Sequence, residues 1–184
     1  MQVFLKNLSN YFFALISNYF FRYNPLKIRK LHLNLPQFFF MEIRKIDALA
    51  TYPIRQLVLR QGKPLESCYF EGDNLDDTYH FGLFVKDLIV GIISLFNCKN
   101  SNFKGENQMQ IRGMAVLEDF QKQGLGALLV KHAEKLAIEN NYDIIWFNAR
   151  EKAVPFYNKL QYQSIGDAFE IQDIGPHYVM FKKM

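Results

Sequence analysis

The chain has 184 residues, of which 49% are hydrophobic and 22% charged, a composition that fits one globular domain and excludes a largely disordered chain. Its formal net charge is +4, but the first 40 residues hold no Asp or Glu and contribute more than that charge through Lys6, Arg22, Lys27, Arg29 and Lys30. The rest of the chain is therefore close to neutral. It has no basic footprint for nucleic acid, and we expect no nucleic-acid partner.

Residues 1–40 differ in composition from the remainder, and we predict that they stand apart from a folded domain at residues 41–184. Polar residues interrupt their apolar run, which argues against a signal peptide or a membrane span. Aromatic residues near Arg and Lys leave a weak interfacial helix as an alternative, although no stable membrane association is expected. Since strand alternation begins at Met41, our preferred hypothesis is that this segment is translated upstream sequence from an over-extended gene start. An intact mass from the native locus would test that hypothesis.

Cys68 and Cys98 are the two cysteines, and they show no metal-ligand spacing. A single pair does not make a disulfide framework, so both are interpreted as reduced structural residues. This usage fits a cytoplasmic protein, and no metal is expected.

Residues 42–46 alternate as a first strand, and Asp47 can cap a helix that follows. That helix is predicted to end at Gly62 and Pro64 and to bury Leu49, Ile54, Leu57 and Val58. Three further strands are predicted at residues 80–85, 88–96 and 109–116.

A change of hydrophobic period marks the centre of the chain, where the strand pattern before Val116 gives way to helical spacing from Leu125. Gly124 and Gly126 lie at the turn and let the backbone approach a ligand closely. Free amides and the helix dipole at such a turn suit a pyrophosphate. Ala127 excludes a P-loop, and Leu129 stands where a dinucleotide fingerprint needs glycine. A helix start without a ligand is the alternative.

The remaining elements are a fifth strand at residues 142–149, a helix at residues 150–160 and two strands at residues 161–166 and 177–182. Pro155 is tolerated only near the beginning of that helix. This order suits a mixed sheet covered by helices.

The motif Gln-x-x-Gly-x-Gly, formed by Gln121, Gly124 and Gly126, lies between a strand and a long helix and resembles the acyl-CoA-binding motif of the GNAT superfamily of N-acyltransferases. An early helix ending in Val-Leu-Arg, an Asp-rich loop, a strand opening on His80, and the run Arg-Gly-Met-Ala-Val extend the resemblance to small bacterial members over residues 41–184. The resemblance implies an α+β fold with a six- to seven-stranded mixed, splayed sheet flanked by helices.

The resemblance also implies acetyl-CoA as the acyl donor. Its pantetheine arm would lie between the fourth and fifth strands, beside Met114, Ala115 and Val116. Asn148 would bond the arm from the fifth strand, or else cap the strand end. The pyrophosphate would bind at Gln121, Lys122, Gln123, Gly124, Leu125, Gly126 and Ala127.

Phe156 and Tyr157 match the family segment Phe-Tyr-x-x-Leu-Gly-Phe, whose tyrosine lies near the thioester sulfur. A phenol with a reference pKa of about 10 can protonate a departing thiolate, which makes Tyr157 the implied general acid. A packing tyrosine is the alternative. The chain departs from the family at Gln161, where glycine usually ends the helix in a left-handed conformation.

The implied reaction is direct attack of a primary amine on the thioester, without a nucleophilic serine or cysteine. Candidate bases are His80, Glu106 and His177, although a lone histidine is more often structural. We expect Arg60, His80 and His177 to line the acceptor site, across the splayed strands from the pyrophosphate. We expect the acceptor to be a small-molecule or peptide amine and the protein to be a monomer or homodimer. The alternative function is a non-catalytic acyl-CoA-binding or interaction module on the same fold.

Overall fold

The computed structural model describes residues 41–104 and 107–184, so residues 1–40 and the candidate base Glu106 lie outside the described residues. Seven strands form one sheet in the order β1-β2-β3-β4-β5-β7-β6, in which the β4–β5 pair is parallel and the other pairs are antiparallel. The strands are β1 (Met41–Lys45), β2 (Tyr79–Val85), β3 (Leu88–Asn97), β4 (Gln108–Val116), β5 (Ile144–Arg150), β6 (Gln163–Ile171) and β7 (Gly175–Lys183).

Within the described residues, three α-helices accompany the sheet: α1 (Ala48–Ile54), α2 (Leu125–Glu139) and α3 (Val154–Lys159). The sheet is mixed, open and flanked by helices, which confirms the predicted fold class. In the part of the chain that the structure describes, no helix is both long and apolar enough to cross a membrane.

The two central strands separate along their length. β4 and β5 pair only where Gln108–Gln110 meet Ile144–Trp146, and from there to their carboxyl ends no pairing joins them. The edge of β4 that faces β5 is therefore open beyond Gln110, and a cleft begins at this point of separation.

The largest core cluster lies between α2 and one face of the sheet. Helix residues Leu129, Val130 and Ala133 are fully buried there, in the apolar period that the sequence shows. Phe147 and Ala149 of β5 belong to the same cluster, so Asn148 and Arg150 project from the opposite face. We call the face that packs against α2 the helix face. We call the opposite face the α1 face, because α1 packs there through Ile54 against Ile92 and Ala115.

A bulge in β4 changes which side chains reach each face. Ile92 pairs with Ala115 and Ser94 with Arg112, so Ile93 opposes both Gly113 and Met114. Gly113 has a φ of +61°, which favours glycine. The extra residue reverses the alternation, and Arg112 and Met114 consequently lie on opposite faces of the sheet.

The early helix differs from its prediction. It is α-helical only through Ile54 and continues as a π-helical turn at Arg55–Leu59, closed by the bond from the Arg60 N–H to the Arg55 carbonyl oxygen at 2.9 Å. Leu49 and Leu57 are 58% and 45% exposed, so the prediction that they are buried is wrong. The π-helical turn shifts the inward-facing position, and Arg55 is buried instead.

The predicted boundary between the fifth strand and the last helix is also corrected. Arg150 ends β5, and a short 3₁₀ turn at Glu151–Ala153 precedes α3, whose first turn holds Pro155. Gln161 adopts a φ of +69°, so it fills the left-handed position that the family usually gives to glycine.

Candidate active site

The turn before α2 presents a row of unused backbone donors. The N–H groups of residues 122–127 make no hydrogen bond within the described part of the chain, and the first helical bond runs from the Leu128 N–H to the Gly124 carbonyl oxygen. Gly124 has a φ of +81°, and a Cβ built there would meet nothing within 4 Å. The turn is anchored to β4, because Gln121 Nε2 donates to the Val116 carbonyl oxygen at 2.9 Å. Open space beside free amides at a helix start is the arrangement that binds phosphate groups.

The cleft between the separated strands has a volume of about 580 Å³. Its lining includes Met114 and Gln121 from the turn side and Arg60 and His177 from the α1 face. Several predicted site residues therefore meet in one cleft, which is lined further by Arg112, Asn148, Arg150, Lys152, Phe156 and Tyr157.

Gly126 brings the turn against α3. A Cβ at Gly126 would lie 3.3 Å from Phe156 and 3.9 Å from the terminal carbon of Met114, so both side chains lie beside the turn on the helix face. The side chain of Ala115 is buried on the α1 face, and that of Val116 joins the core beside α2. These two residues can therefore meet a ligand in the cleft only through their backbone.

Tyr157 is 7% exposed and lies within a cluster of aromatic rings, with the ring of Phe147 centred 4.2 Å from its own. Its hydroxyl makes no hydrogen bond to any described residue, although the side chain lines the cleft. Burial raises the pKa of Tyr157 well above its ordinary value of 10.0, so the phenol stays protonated at neutral pH. A protonated hydroxyl with a free donor can give a hydrogen bond to a negatively charged sulfur.

His177 is 4% exposed and lines the cleft. Its Nδ1 lies 2.7 Å from the Gly175 carbonyl oxygen, and since a carbonyl only accepts, this nitrogen carries the hydrogen. In the neutral ring the lone pair is then on Nε2. The histidine also faces Arg150 across the β5–β7 pair.

The cleft also holds three arginines, Arg60, Arg112 and Arg150, which we call the arginine cluster. Their guanidinium groups donate to backbone carbonyl oxygens: Arg112 to Glu71 at 3.0 Å, Arg150 to Leu59 at 2.9 Å and Arg60 to Ser67 at 3.3 Å. None forms an ion pair with a described carboxylate. The described cleft lining contains no Asp or Glu, so this end of the cleft is strongly positive.

His80 does not line the cleft with the arginine cluster, so its expected place in the acceptor site is corrected. It is 4% exposed and absent from the described cleft lining. Its Nδ1 lies 2.8 Å from Ser94 Oγ, and its Nε2 lies 2.8 Å from the Asp73 carbonyl oxygen. With both ring nitrogens engaged, the histidine supports the loop before β2.

The same loop is held by a buried ion pair. Arg55 and Asp73 are bound through two hydrogen bonds of 2.6 and 2.9 Å, and neither side chain is exposed. Arg55 also donates to the Cys68 carbonyl oxygen at 2.7 Å and to Ser94 Oγ at 2.9 Å. This network fixes Phe70, whose ring lies against Arg55, Arg60 and Arg112 in the wall of the cleft.

Sequence reasoning missed Arg112 and Arg150. Arg112 is the one charged residue of the strand predicted at residues 109–116, and that charge was a usable signal. The helix predicted at residues 150–160 includes Arg150, so the sequence does not indicate on which face of the sheet its side chain lies. Asn148 lines the cleft and makes no side-chain hydrogen bond to a described residue. No group of three or more His, Cys, Asp or Glu suited to a metal ion occurs among the described residues.

An open mixed sheet with separated central strands, free amides at a helix start and a tyrosine in the cleft defines the acyl-CoA N-acyltransferases. The profile of the Acetyltransferase (GNAT) family matches residues 41–162, and the chain belongs to this family. The uncharacterized N-acetyltransferase YitI of Bacillus subtilis is 32% identical over 144 residues, which are 78% of this chain and 97% of YitI. The protein is therefore an acyl-CoA-dependent N-acyltransferase.

Solved structures share the fold at lower identity. Escherichia coli ElaA is 17% identical with a TM-score of 0.62, covering 78% of this chain and 99% of ElaA. An aminoglycoside 6'-N-acetyltransferase complexed with coenzyme A is 16% identical with a TM-score of 0.62, covering 77% of this chain and 96% of that chain. These similarities confirm the expected fold.

Proposed function

We propose that the protein transfers the acetyl group of acetyl-CoA to a primary amine by direct attack of the amine on the thioester. The observation that carries the proposal is the free hydroxyl of Tyr157, which faces the same cleft as the open edge of β4. The turn before α2 supports it with the unpaired N–H groups of residues 122–127. A coenzyme A complex of a protein with the same fold adds further support.

The pyrophosphate of the donor binds the free amides of the turn, with the dipole of α2 favouring its negative charge. The pantetheine arm pairs with the open edge of β4 near Met114, and the side-chain amide of Asn148 bonds it from β5. The cleft of about 580 Å³ takes the end of this arm as well as the acceptor, which favours a short acyl group.

Two residues, His177 and Tyr157, accept and donate the protons that move during the reaction. The lone pair on His177 Nε2 accepts the proton that the amine loses as its nitrogen bonds to the acyl carbon. When the carbon–sulfur bond breaks, the electron pair leaves on sulfur, and the Tyr157 hydroxyl donates a hydrogen bond or its proton to the thiolate. The amide and free coenzyme A are the products, and the tyrosine regains its proton from solvent.

The test is transfer itself. Purified protein is mixed with acetyl-CoA and a panel of primary amines, free thiol is followed with a chromogenic disulfide, and the acetylated amine is confirmed by mass. Acetyl-CoA binding by calorimetry together with amine-dependent thiol release is the expected result. Binding without release for any amine would favour a non-catalytic acyl-CoA-binding module, and absence of binding would contradict the proposed donor.

A further inference from the structure

The arginine cluster carries positive charge that no described group neutralises. The guanidinium groups of Arg60 and Arg112 lie against the same side chain, with their central carbons 5.6 and 4.9 Å from the centre of the Phe70 ring, so the two charges are close neighbours. Burial and the charge of Arg150 lower the pKa of Arg60, and burial likewise lowers that of Arg112. Like charges gathered in a partly buried cleft repel each other, and a bound anion relieves that repulsion.

The hydrogen bonding of the cluster leaves donors available. Each guanidinium has five N–H donors in a planar fork, and Arg112 and Arg150 each use one, on a backbone carbonyl oxygen. A fork of this kind matches the two oxygens of a carboxylate. The cluster is therefore built to bind an anion that the chain itself does not supply among its described residues.

The phosphates of acetyl-CoA are not the anion that the arginine cluster binds. Gly126 at the turn approaches Met114 and Phe156 on the helix face, whereas Arg112 lies against Phe70 and Phe96 on the α1 face. The bulge at Gly113 sends Arg112 and Met114 to opposite faces, so the turn and the arginine cluster border the cleft from opposite faces of the sheet. An anion held by the cluster thus reaches the cleft from the acceptor side.

We propose that the acceptor is an amino acid or a similarly compact amine that carries a carboxylate, and that Arg60, Arg112 and Arg150 bind this carboxylate. The inference rests on the proposed function. Arg150 and His177 are paired residues of β5 and β7 and both line the cleft, so an acceptor that uses both would carry its amine and its carboxylate close together. A short spacing between amine and carboxylate follows, as in α-amino acids.

The experiment compares matched acceptors on the full chain with saturating acetyl-CoA. Each of a set of L-amino acids is paired with its own carboxamide, which keeps the amine and side chain and removes the negative charge. Spermidine, kanamycin and phosphoethanolamine represent cationic and phosphate-bearing amines. The expected result is a kcat/KM at least about 10-fold higher for an amino acid than for its carboxamide, since hydrogen bonds to charged groups have this magnitude.

Three variants test the residues of the cluster. Arg60→Gln and Arg150→Gln are each expected to reduce the ratio of kcat/KM between amino acid and carboxamide towards one, while Arg60→Lys retains part of it. Arg44→Gln is the matched control, because this exposed arginine on β1 does not line the cleft. Acetyl-CoA affinity in the Arg60 and Arg150 variants is expected to stay within a few fold of the parent.

The outcomes separate the two proposals. Transfer to spermidine, kanamycin or phosphoethanolamine in preference to every amino acid overturns the carboxylate proposal and leaves acetyl transfer intact. Equal rates for amino acids and carboxamides do the same. Loss of acetyl-CoA binding in Arg60→Gln would assign the cluster to the donor. Absence of thiol release with every amine overturns the proposed function and this inference with it.

Discussion

Arg112 and Met114 project from opposite faces of β4, although only Gly113 lies between them. In a regular strand, residues two apart share a face, and the bulge removes that relationship. One strand therefore places a side chain beside the turn before α2 and another beside the arginine cluster. The geometry of Gly113 decides both positions.

Gly113→Ala is expected to destabilise the protein by about 2 kcal/mol or more, from the left-handed φ and from overpacking. A Cβ there would lie 2.9 Å from Phe70 and 3.1 Å from Arg55. Urea unfolding measures the change. Gly62→Ala is the control, because its φ of +74° imposes the same backbone strain with nothing within 4 Å of the added carbon. Equal losses in the two variants would mean that crowding by Phe70 and Arg55 is unimportant.

Gly124→Glu is expected to weaken acetyl-CoA binding at least about 100-fold, because a carboxylate would occupy the open space beside the free amides and repel the pyrophosphate. Isothermal calorimetry measures the affinity. Gly166→Glu controls for backbone strain, since Gly166 has a φ of +72°, open space around it and no part in the cleft lining. Unchanged affinity in a folded Gly124→Glu protein would remove the turn from the donor site.

Tyr157→Phe is expected to keep acetyl-CoA affinity within a few fold and to lower kcat about 100-fold, as removal of a general acid does. Burial holds the pKa of Tyr157 above 10.0, so the parent should show no loss of rate from this group between pH 7 and pH 9. Tyr162→Phe is the control, because Tyr162 packs in the same aromatic cluster without lining the cleft. A parallel fall in binding and rate would instead make Tyr157 a residue that positions the donor.

His80→Gln is expected to destabilise the protein by about 1–3 kcal/mol at pH 7.5, through the loss of buried hydrogen bonds, while kcat stays within a few fold. Burial lowers the pKa of His80 below 6.5, so the folded state favours the neutral ring. The unfolded chain then binds more protons in acid, and the free energy of unfolding falls as pH drops below about 6.5.

The variant should consequently lose less stability than the parent between pH 7.5 and pH 5, as measured by urea unfolding at each pH. The variant still contains His132, whose pKa is also lowered by burial, so its free energy of unfolding still falls with decreasing pH but with a smaller slope. A large fall in kcat with unchanged stability would return His80 to the candidate bases.

The sequence predicts the turn before α2 well, because two glycines and a change of period are local signals. The match between the segment around Tyr157 and the family segment predicts the place of this tyrosine in the candidate site. The place of His80 was not predictable, since it depends on Ser94 and Asp73, which are remote in the chain. Arg150 was missed because the end of a strand and the start of a helix share no local signal when a 3₁₀ turn joins them. The arginine cluster is a product of topology, and periodicity cannot reveal it.

The buried pair of Arg55 and Asp73 has a practical consequence for redesign. The pair stabilises the irregular segment between α1 and β2 from its buried side. The shape of this segment, which forms one wall of the cleft, therefore does not depend on its outward-facing side chains. Glu71, Asn74 and Leu75 are exposed on that segment and can be randomised in a library while the pair stays intact. Because these three side chains do not line the cleft, such a library changes the outer surface of this wall and leaves every cleft-lining residue in place.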